Sequence, residues 1–227
     1  MALHPLDNPV WSALSGRQEA FAVVSGRFRR FRRDVGIFIA AEDQAEGFDN
    51  LDEALGAGEI AGVVTTQPIA APAGLEIVEF IGVPQMVARR DIDAAPLPVP
   101  ITPLSDAHVA AMLELVNLTH PGPFMPRTIE LGRYRGIFDG GRLAAMAGGR
   151  MRPNGFAEIS AVCTHPDYQR RGYATALIAA VARDIVAAGD VPFLHVRGTN
   201  AGAIEAYRKL GFETRREMIF TILKRPD

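Results

Sequence analysis

Two places in this sequence set polar chemistry where plain packing would be expected. The first is Glu158, within Phe156-Ala157-Glu158-Ile159-Ser160-Ala161-Val162, a run otherwise so apolar that both faces of a strand there would be covered. A carboxylate in that setting is costly unless partnered, and desolvation pushes its pKa up toward neutrality. Such a group suits a general base for an ammonium nucleophile, directly or through a water. The structural alternative is a salt bridge to Arg150 or Arg152 on the preceding strand; the catalytic assignment is the one adopted. The second place is Val162-Cys163-Thr164-His165-Pro166-Asp167-Tyr168-Gln169-Arg170-Arg171-Gly172-Tyr173-Ala174-Thr175-Ala176-Leu177, which joins that strand to a helix start. Free backbone N–H groups and the positive end of a helix dipole form an anion site there. Gly172 allows close approach of a phosphate, small Ala174 does much the same, and Arg170 and Arg171 add charge at the rim. A pyrophosphate is the natural guest.

The elements that must position these residues are readable in the second half of the chain. Ser105-Asp106 caps a helix to about 118, with Val109, Met112, Leu113 and Val116 on one face. A Pro/Gly-rich loop follows. Residues 134–138 and 143–151 flank the hairpin signal Asp139-Gly140-Gly141, and Asn154-Gly155 turns into a strand over 156–163. A long helix runs from about 170 to 188 with Leu177, Ile178, Val181 and Ile185 on its apolar face and Gly189 as its cap. A strand over 193–197, a helix over 200–210 and two late apolar runs, 212–214 and 218–223, complete the pattern.

The first half is more weakly patterned. Asn8-Pro9 starts a helix, 36–41, 60–65 and 77–81 are strand candidates, and 52–55 belongs to a short helix. The alternating prolines of Ala94-Ala95-Pro96-Leu97-Pro98-Val99-Pro100 mark an extended linker. The expected organisation is therefore an N-terminal α/β domain over 1–92, a linker over 93–103 and a second domain over 104–227.

At 227 residues, with 48% hydrophobic and 22% charged residues, the composition is that of a globular protein. One cysteine, Cys163, allows no internal disulfide and fits a reducing cytoplasmic setting. No secretory signal opens the chain and no apolar run reaches the ~20 residues of a membrane span. The net charge of −2 gives no general case for nucleic acid. The halves differ: eight Arg/Lys against fourteen Asp/Glu in residues 1–100, sixteen against twelve afterwards, so the second half suits an anionic ligand. Arg27-Phe28-Arg29-Arg30-Phe31-Arg32-Arg33 interleaves basic and aromatic residues as single-strand binders do, but in an acidic half it reads as a solvated strand with anchoring phenylalanines. His108, His120, His165 and His195 lack metal-ligand spacing, and no metal is expected.

Gln169-Arg170-Arg171-Gly172-Tyr173-Ala174, after the lead Val162…His165-Pro166-Asp167-Tyr168, resembles the coenzyme A signature of the GNAT superfamily of N-acetyltransferases. The family's second signature is matched, in order, by Asn200-Ala201-Gly202-Ala203-Ile204-Glu205-Ala206-Tyr207-Arg208-Lys209-Leu210-Gly211-Phe212. The resemblance covers about 101–227, and Glu158–Pro166 is similar to the glycine N-acyltransferase-like branch. It implies an α/β (α+β) acyl-CoA N-acyltransferase fold, with a mixed, mostly antiparallel central sheet flanked by helices. In that branch the N-terminal half is itself a degenerate copy, giving tandem halves; Gly82–Ala88 resembles the stretch that ends it.

The resemblance further implies a cytoplasmic enzyme that moves an acetyl or other acyl group from acetyl-CoA directly to a primary amine. Residues Arg170 to Thr175 would hold the pyrophosphate after Gln169, with Tyr173 among them. Val162, Cys163 and Thr164 would line the pantetheine arm, and Asn200 and Ala203 would contact the cofactor. Tyr207 would protonate the departing thiolate, Glu158 would be the base, and His120 and Arg127 would shape the acceptor site; His195, mid-strand in Phe193–Arg197, reads either as a further acceptor residue or as a satisfied core histidine. A small-molecule amine or a peptide is the implied acceptor, and a homodimer is compatible. The competing function is a non-catalytic acyl-CoA-binding module. Neither the acceptor nor the acyl length is readable.

Overall fold

The computed structural model describes residues 4–44, 46–90, 92, 94 and 97–227. Part of the expected linker, at positions 93, 95 and 96, lies outside the described residues.

The chain opens with α1 (Pro9–Leu14), where Asn8 caps the helix by accepting from the Trp11 N–H and Pro9 takes the first turn. Strands β1 (Ala22–Ser25), β2 (Phe28–Phe31) and β3 (Ile39–Ala41) form a small antiparallel sheet. The arginines of the 27–33 cluster find partners within the fold. Arg30 is buried and paired with Glu59, Arg33 meets the same carboxylate at 2.5 Å, Arg29 lies over Trp11 and Arg32 over Phe21.

The main sheet has eight strands, built from both halves of the chain. They are β4 (Ile60–Thr65), β5 (Glu76–Ala88), β6 (Thr102–Pro103), β7 (Tyr134–Asp139), β8 (Arg142–Gly149), β9 (Phe156–Thr164), β10 (Val191–His195) and β11 (Phe212–Lys224). Their order is β4-β11-β5-β10-β9-β8-β7-β6, and every neighbouring pair is antiparallel except β9 with β10. This is the mixed, mostly antiparallel sheet expected from the sequence. Strand β5, from the first half, lies between β10 and β11 of the second, and Thr102–Pro103, within the expected linker, already pairs with β7.

Three further helices flank the sheet: α2 (Val109–Thr119), α3 (Tyr173–Ala187) and α4 (Ala201–Lys209). The predicted stripe of α3 is buried throughout, at Leu177, Ile178, Val181 and Ile185, and packs against β8 and β9. On α2, Met112, Leu115 and Val116 are buried, with Val109 and Leu113 half-covered beside them. The two late apolar runs are one strand, β11, whose pairing with β5 shifts register between Thr214 and Arg216. The bulge frees Arg215 to turn inward. Among the described residues no helix is long and apolar enough to cross a membrane.

Candidate active site

Strands β9 and β10 run side by side only as far as the pairs Val191↔Phe156, Pro192↔Ala157 and Phe193↔Glu158. Beyond Glu158 they separate, which leaves the β10-facing edge of β9 from Ile159 to Thr164 without a strand partner. A bulge accompanies the split. Two residues of β9, Ala161 and Val162, oppose the single Ala147 of β8, and Ala161 adopts φ 51°, in the left-handed region.

Glu158 sits at the apex of the split with no exposed surface. Its Oε2 accepts from Arg150 Nε at 2.9 Å, and its Oε1 accepts from Arg150 Nη2 and meets His195 Nδ1, both at 2.8 Å. Burial alone would push this carboxyl upward, as the sequence suggested. The Arg150 guanidinium, its two hydrogen bonds and His195 together outweigh that, and hold Glu158 well below the usual carboxylate range. The expected raised pKa is therefore corrected: Glu158 is the anion of a buried bidentate ion pair. Arg150, 12% exposed at its side chain, also lies over the Phe38 ring at 4.6 Å.

The network continues across the sheet. Gln85 of β5 is fully buried, and its Oε1 accepts from Arg215 Nη1 at 3.0 Å. That orients the amide, so Nε2 donates to the Leu6 carbonyl at 2.9 Å and meets His195 Nε2 at 3.1 Å. Where the His195 ring carries a single proton, these partners fix its tautomer: Nδ1–H donates to Glu158 and Nε2 accepts from Gln85. Arg215 in turn donates to Asp7 Oδ1 at 2.7 Å.

Two cavities meet at this network. One, of about 630 Å³, follows the open edge of β9 and is lined by Ile159 to Thr164, Gln169, Ala174, Thr175, Asn200, Ala203 and Tyr207, among others. The other, of about 490 Å³, has a largely apolar wall in which Phe38, Val64 and Ile81 come from the N-terminal half. Six residues belong to both: His120, Pro121, Gly122, Arg150, His195 and Arg197.

At the far end of the larger cavity the chain turns into α3 through Arg170 at φ 61° and Gly172 at φ 78°. The backbone N–H groups of Arg170 to Thr175 have no acceptor among the described residues. Thr164 Oγ1 is likewise buried without a partner. A row of free donors at a helix start, continued by an unpaired strand edge, suits a ligand with an anionic head and an amide-bearing arm.

Over residues 134–221 the sequence matches the family model described as FR47-like protein. A GNAT-family protein from Novosphingobium aromaticivorans, solved by crystallography, is 40% identical over 99% of this chain and 100% of its own, with a TM-score of 0.92. The chain belongs to the GNAT family. It is an acyltransferase. Two more distant structures share the fold: a GCN5-related N-acetyltransferase from Kribbella flavida (20% identity, 96% of each chain, TM-score 0.57) and a GCN5-related N-acetyltransferase-like protein from Streptococcus suis (15% identity, 95% of this chain and 92% of its own, TM-score 0.59). No curated protein matches.

Within this GNAT chain most of the expected site residues converge. Val162, Cys163, Thr164, Gln169, Ala174, Thr175, Asn200, Ala203 and Tyr207 line the larger cavity, and His120 and His195 line both. Burial pushes the Tyr207 hydroxyl up to about 12 and the Cys163 thiol up to about 11. Asn200 caps α4, its Oδ1 accepting from the Ala203 N–H at 3.0 Å. Others are placed elsewhere. Arg171 folds back to the Asp167 carbonyl and over the Tyr168 ring, and Tyr173 is buried against Tyr168. Arg127 lies outside both cavities, exposed and paired with Asp34 and Glu130. Glu158 lines neither cavity and reaches them through Arg150 and His195. Sequence reasoning missed Gln85, Arg197 and the apolar wall of the first half. Gln85 carried a signal of the kind that exposed Glu158: it is a polar residue inside the apolar run 81–88.

Proposed function

We propose that this protein transfers an acetyl group from acetyl-CoA directly to a primary amine, with the larger cavity holding the donor and the smaller one the acceptor. The observation that carries this is their junction at His120, Arg150, His195 and Arg197. Acetyl-CoA brings the activated thioester. The free amides of Arg170 to Thr175 hold its pyrophosphate, and the open edge at Val162 and Thr164 takes its pantetheine arm as an added strand.

Among the six residues common to both cavities, only the imidazoles of His120 and His195 can accept a proton. His195 has the better support, because Glu158 at Nδ1 stabilises the charge that arrives when Nε2 takes the proton of the attacking amine. To do so, Nε2 exchanges its bond from Gln85. Glu158 thus acts as a positioning residue rather than as the base itself. Tyr207 keeps its proton at neutral pH and delivers it to the departing sulfur.

The same reading carries a cytoplasmic location and a place near the glycine N-acyltransferase-like branch, with residues 1–92 as a degenerate half whose strands extend the sheet. It is tested by following free thiol from acetyl-CoA over a broad amine panel, with mass spectrometry of the product. Calorimetric binding of acetyl-CoA with no thiol released above the blank by any amine overturns it in favour of a binding module.

A further inference from the structure

We infer that the acceptor is a primary monoamine carried on an aromatic or branched aliphatic body, with no second cationic group. This rests on the acyl-transfer reading above and names its substrate class. The smaller cavity is walled by Ile37, Phe38, Val64, Ile81, Phe124 and Phe220, so a body that fills its 490 Å³ trades water for apolar contact along most of its length.

The ionisable part of the lining is basic throughout. Arg150 and Arg197 contribute guanidiniums, His120 and His195 imidazoles, and none of the described lining residues is Asp or Glu. Both guanidiniums are already neutralised from outside the cavity, Arg150 by buried Glu158 and Arg197 by Glu79 at 2.9 Å. The cavity therefore offers an ammonium no counter-ion. A polyamine or a diamine would bring a second charge into apolar surroundings with no counter-ion, and an aminosugar would bury hydroxyls there without partners; desolvation disfavours both. A monoamine on an apolar body avoids both costs, and the same surroundings favour its uncharged, nucleophilic form.

The test is thiol release with straight-chain amines from ethylamine to hexylamine and with phenethylamine, set against putrescine and glucosamine. The expected kcat/KM rises about fourfold per added methylene until the cavity is full. Putrescine then falls below butylamine, its monoamine of equal length. Ile60→Asp puts a carboxylate on a lining residue that is 44% exposed, where folding tolerates it, and narrows the gap between putrescine and butylamine. A flat or inverted series, or a preference for putrescine or glucosamine in the unaltered protein, overturns the inference. So does a length dependence that appears on lengthening the acyl donor from acetyl-CoA to hexanoyl-CoA and not on lengthening the amine, because the cavity then holds the acyl chain. Absence of thiol release with every amine, while acetyl-CoA still binds by calorimetry, is a different failure: it removes the amine-transfer reading itself.

Discussion

Glu158→Gln is the substitution whose effect the structure specifies most fully. The side chain keeps its shape but loses its charge, and one of its two oxygens becomes an N–H₂ group facing the Arg150 guanidinium. Both groups are deep in the fold, with side chains 0% and 12% exposed, so water replaces the lost partner poorly. Breaking one side of a buried ion pair costs about 3–5 kcal/mol, because the remaining charge stays buried without compensation. At about 2–4 °C per kcal/mol for a chain of this size, the thermal midpoint should fall by roughly 6–20 °C. The same physics makes a second variant informative. Arg150→Met with Glu158→Leu removes both charges and should regain most of the loss, while still lacking transferase activity. Circular dichroism through thermal and guanidinium unfolding measures both. A fall of less than about 3 °C in Glu158→Gln, outside the range that pair energetics allow, would show that the ion pair is not closed as described. A double variant no more stable than the single would say the same. Acid gives an independent check. The folded carboxyl lies below its unfolded value, so its stabilisation is complete above about pH 4.3 and is lost as pH falls further. Unaltered protein should lose stability over that acid range more steeply than Glu158→Gln.

Tyr207→Phe should lower kcat by roughly 10²–10⁴-fold, the usual worth of a positioned general acid, with the acetyl-CoA Kd from calorimetry within about twofold of the parent. Gly172→Ala meets no clash, the nearest atom being Leu97 Cδ2 at 3.6 Å, but the φ of 78° strains any Cβ. It should cost about 1–2 kcal/mol by denaturant unfolding and weaken acetyl-CoA binding, since the N–H row must shift. Cys163, 7% exposed with its thiol pushed up to about 11, should resist a thiol reagent at pH 8 until denaturant opens the fold. Because that thiol holds its proton more tightly folded than unfolded, its contribution to stability should fade as pH climbs from 9 towards 11.

Local periodicity carried the second half of the fold far. The stripe of α3 and the turns at Asp139-Gly140-Gly141 and Asn154-Gly155 depend on near neighbours, and they stand where the sequence put them. What escaped depends on partners distant in the chain. Arg215-Arg216-Glu217 reads as a break between two apolar runs, yet β11 passes straight through, because Arg215 has Gln85 and Asp7 to bond inside the fold. The apolar wall of the smaller cavity was hidden for a similar reason. Phe38, Val64 and Ile81 look like ordinary core residues until β5 is known to slot between β10 and β11. For Glu158 the oddity is legible in the sequence, and so is Arg150 as a candidate partner. The direction of the pKa is not, because it is a balance between burial and two partners whose geometry a sequence does not contain.

The unusual residues of the three central strands make sense only together. Gln85, His195 and Glu158 each interrupt an apolar strand, and each alone would leave buried polar atoms without partners. The strand order β5-β10-β9 sets them in a row, and the row ends on a guanidinium at either side, Arg215 beyond Gln85 and Arg150 beyond Glu158. The two ends differ in kind. Arg215 meets a neutral amide and fixes which way it faces, whereas Arg150 meets a carboxylate and fixes its charge. Between them His195 has one nitrogen bound to an anion and the other to a weaker, exchangeable donor. On the function proposed above, a proton arriving from the cavities is therefore received at Nε2, where the bond is weakest, and stabilised from Nδ1, where the charge lies. The proposed direction of proton flow rests on this asymmetry, which no one of the three strands contains by itself.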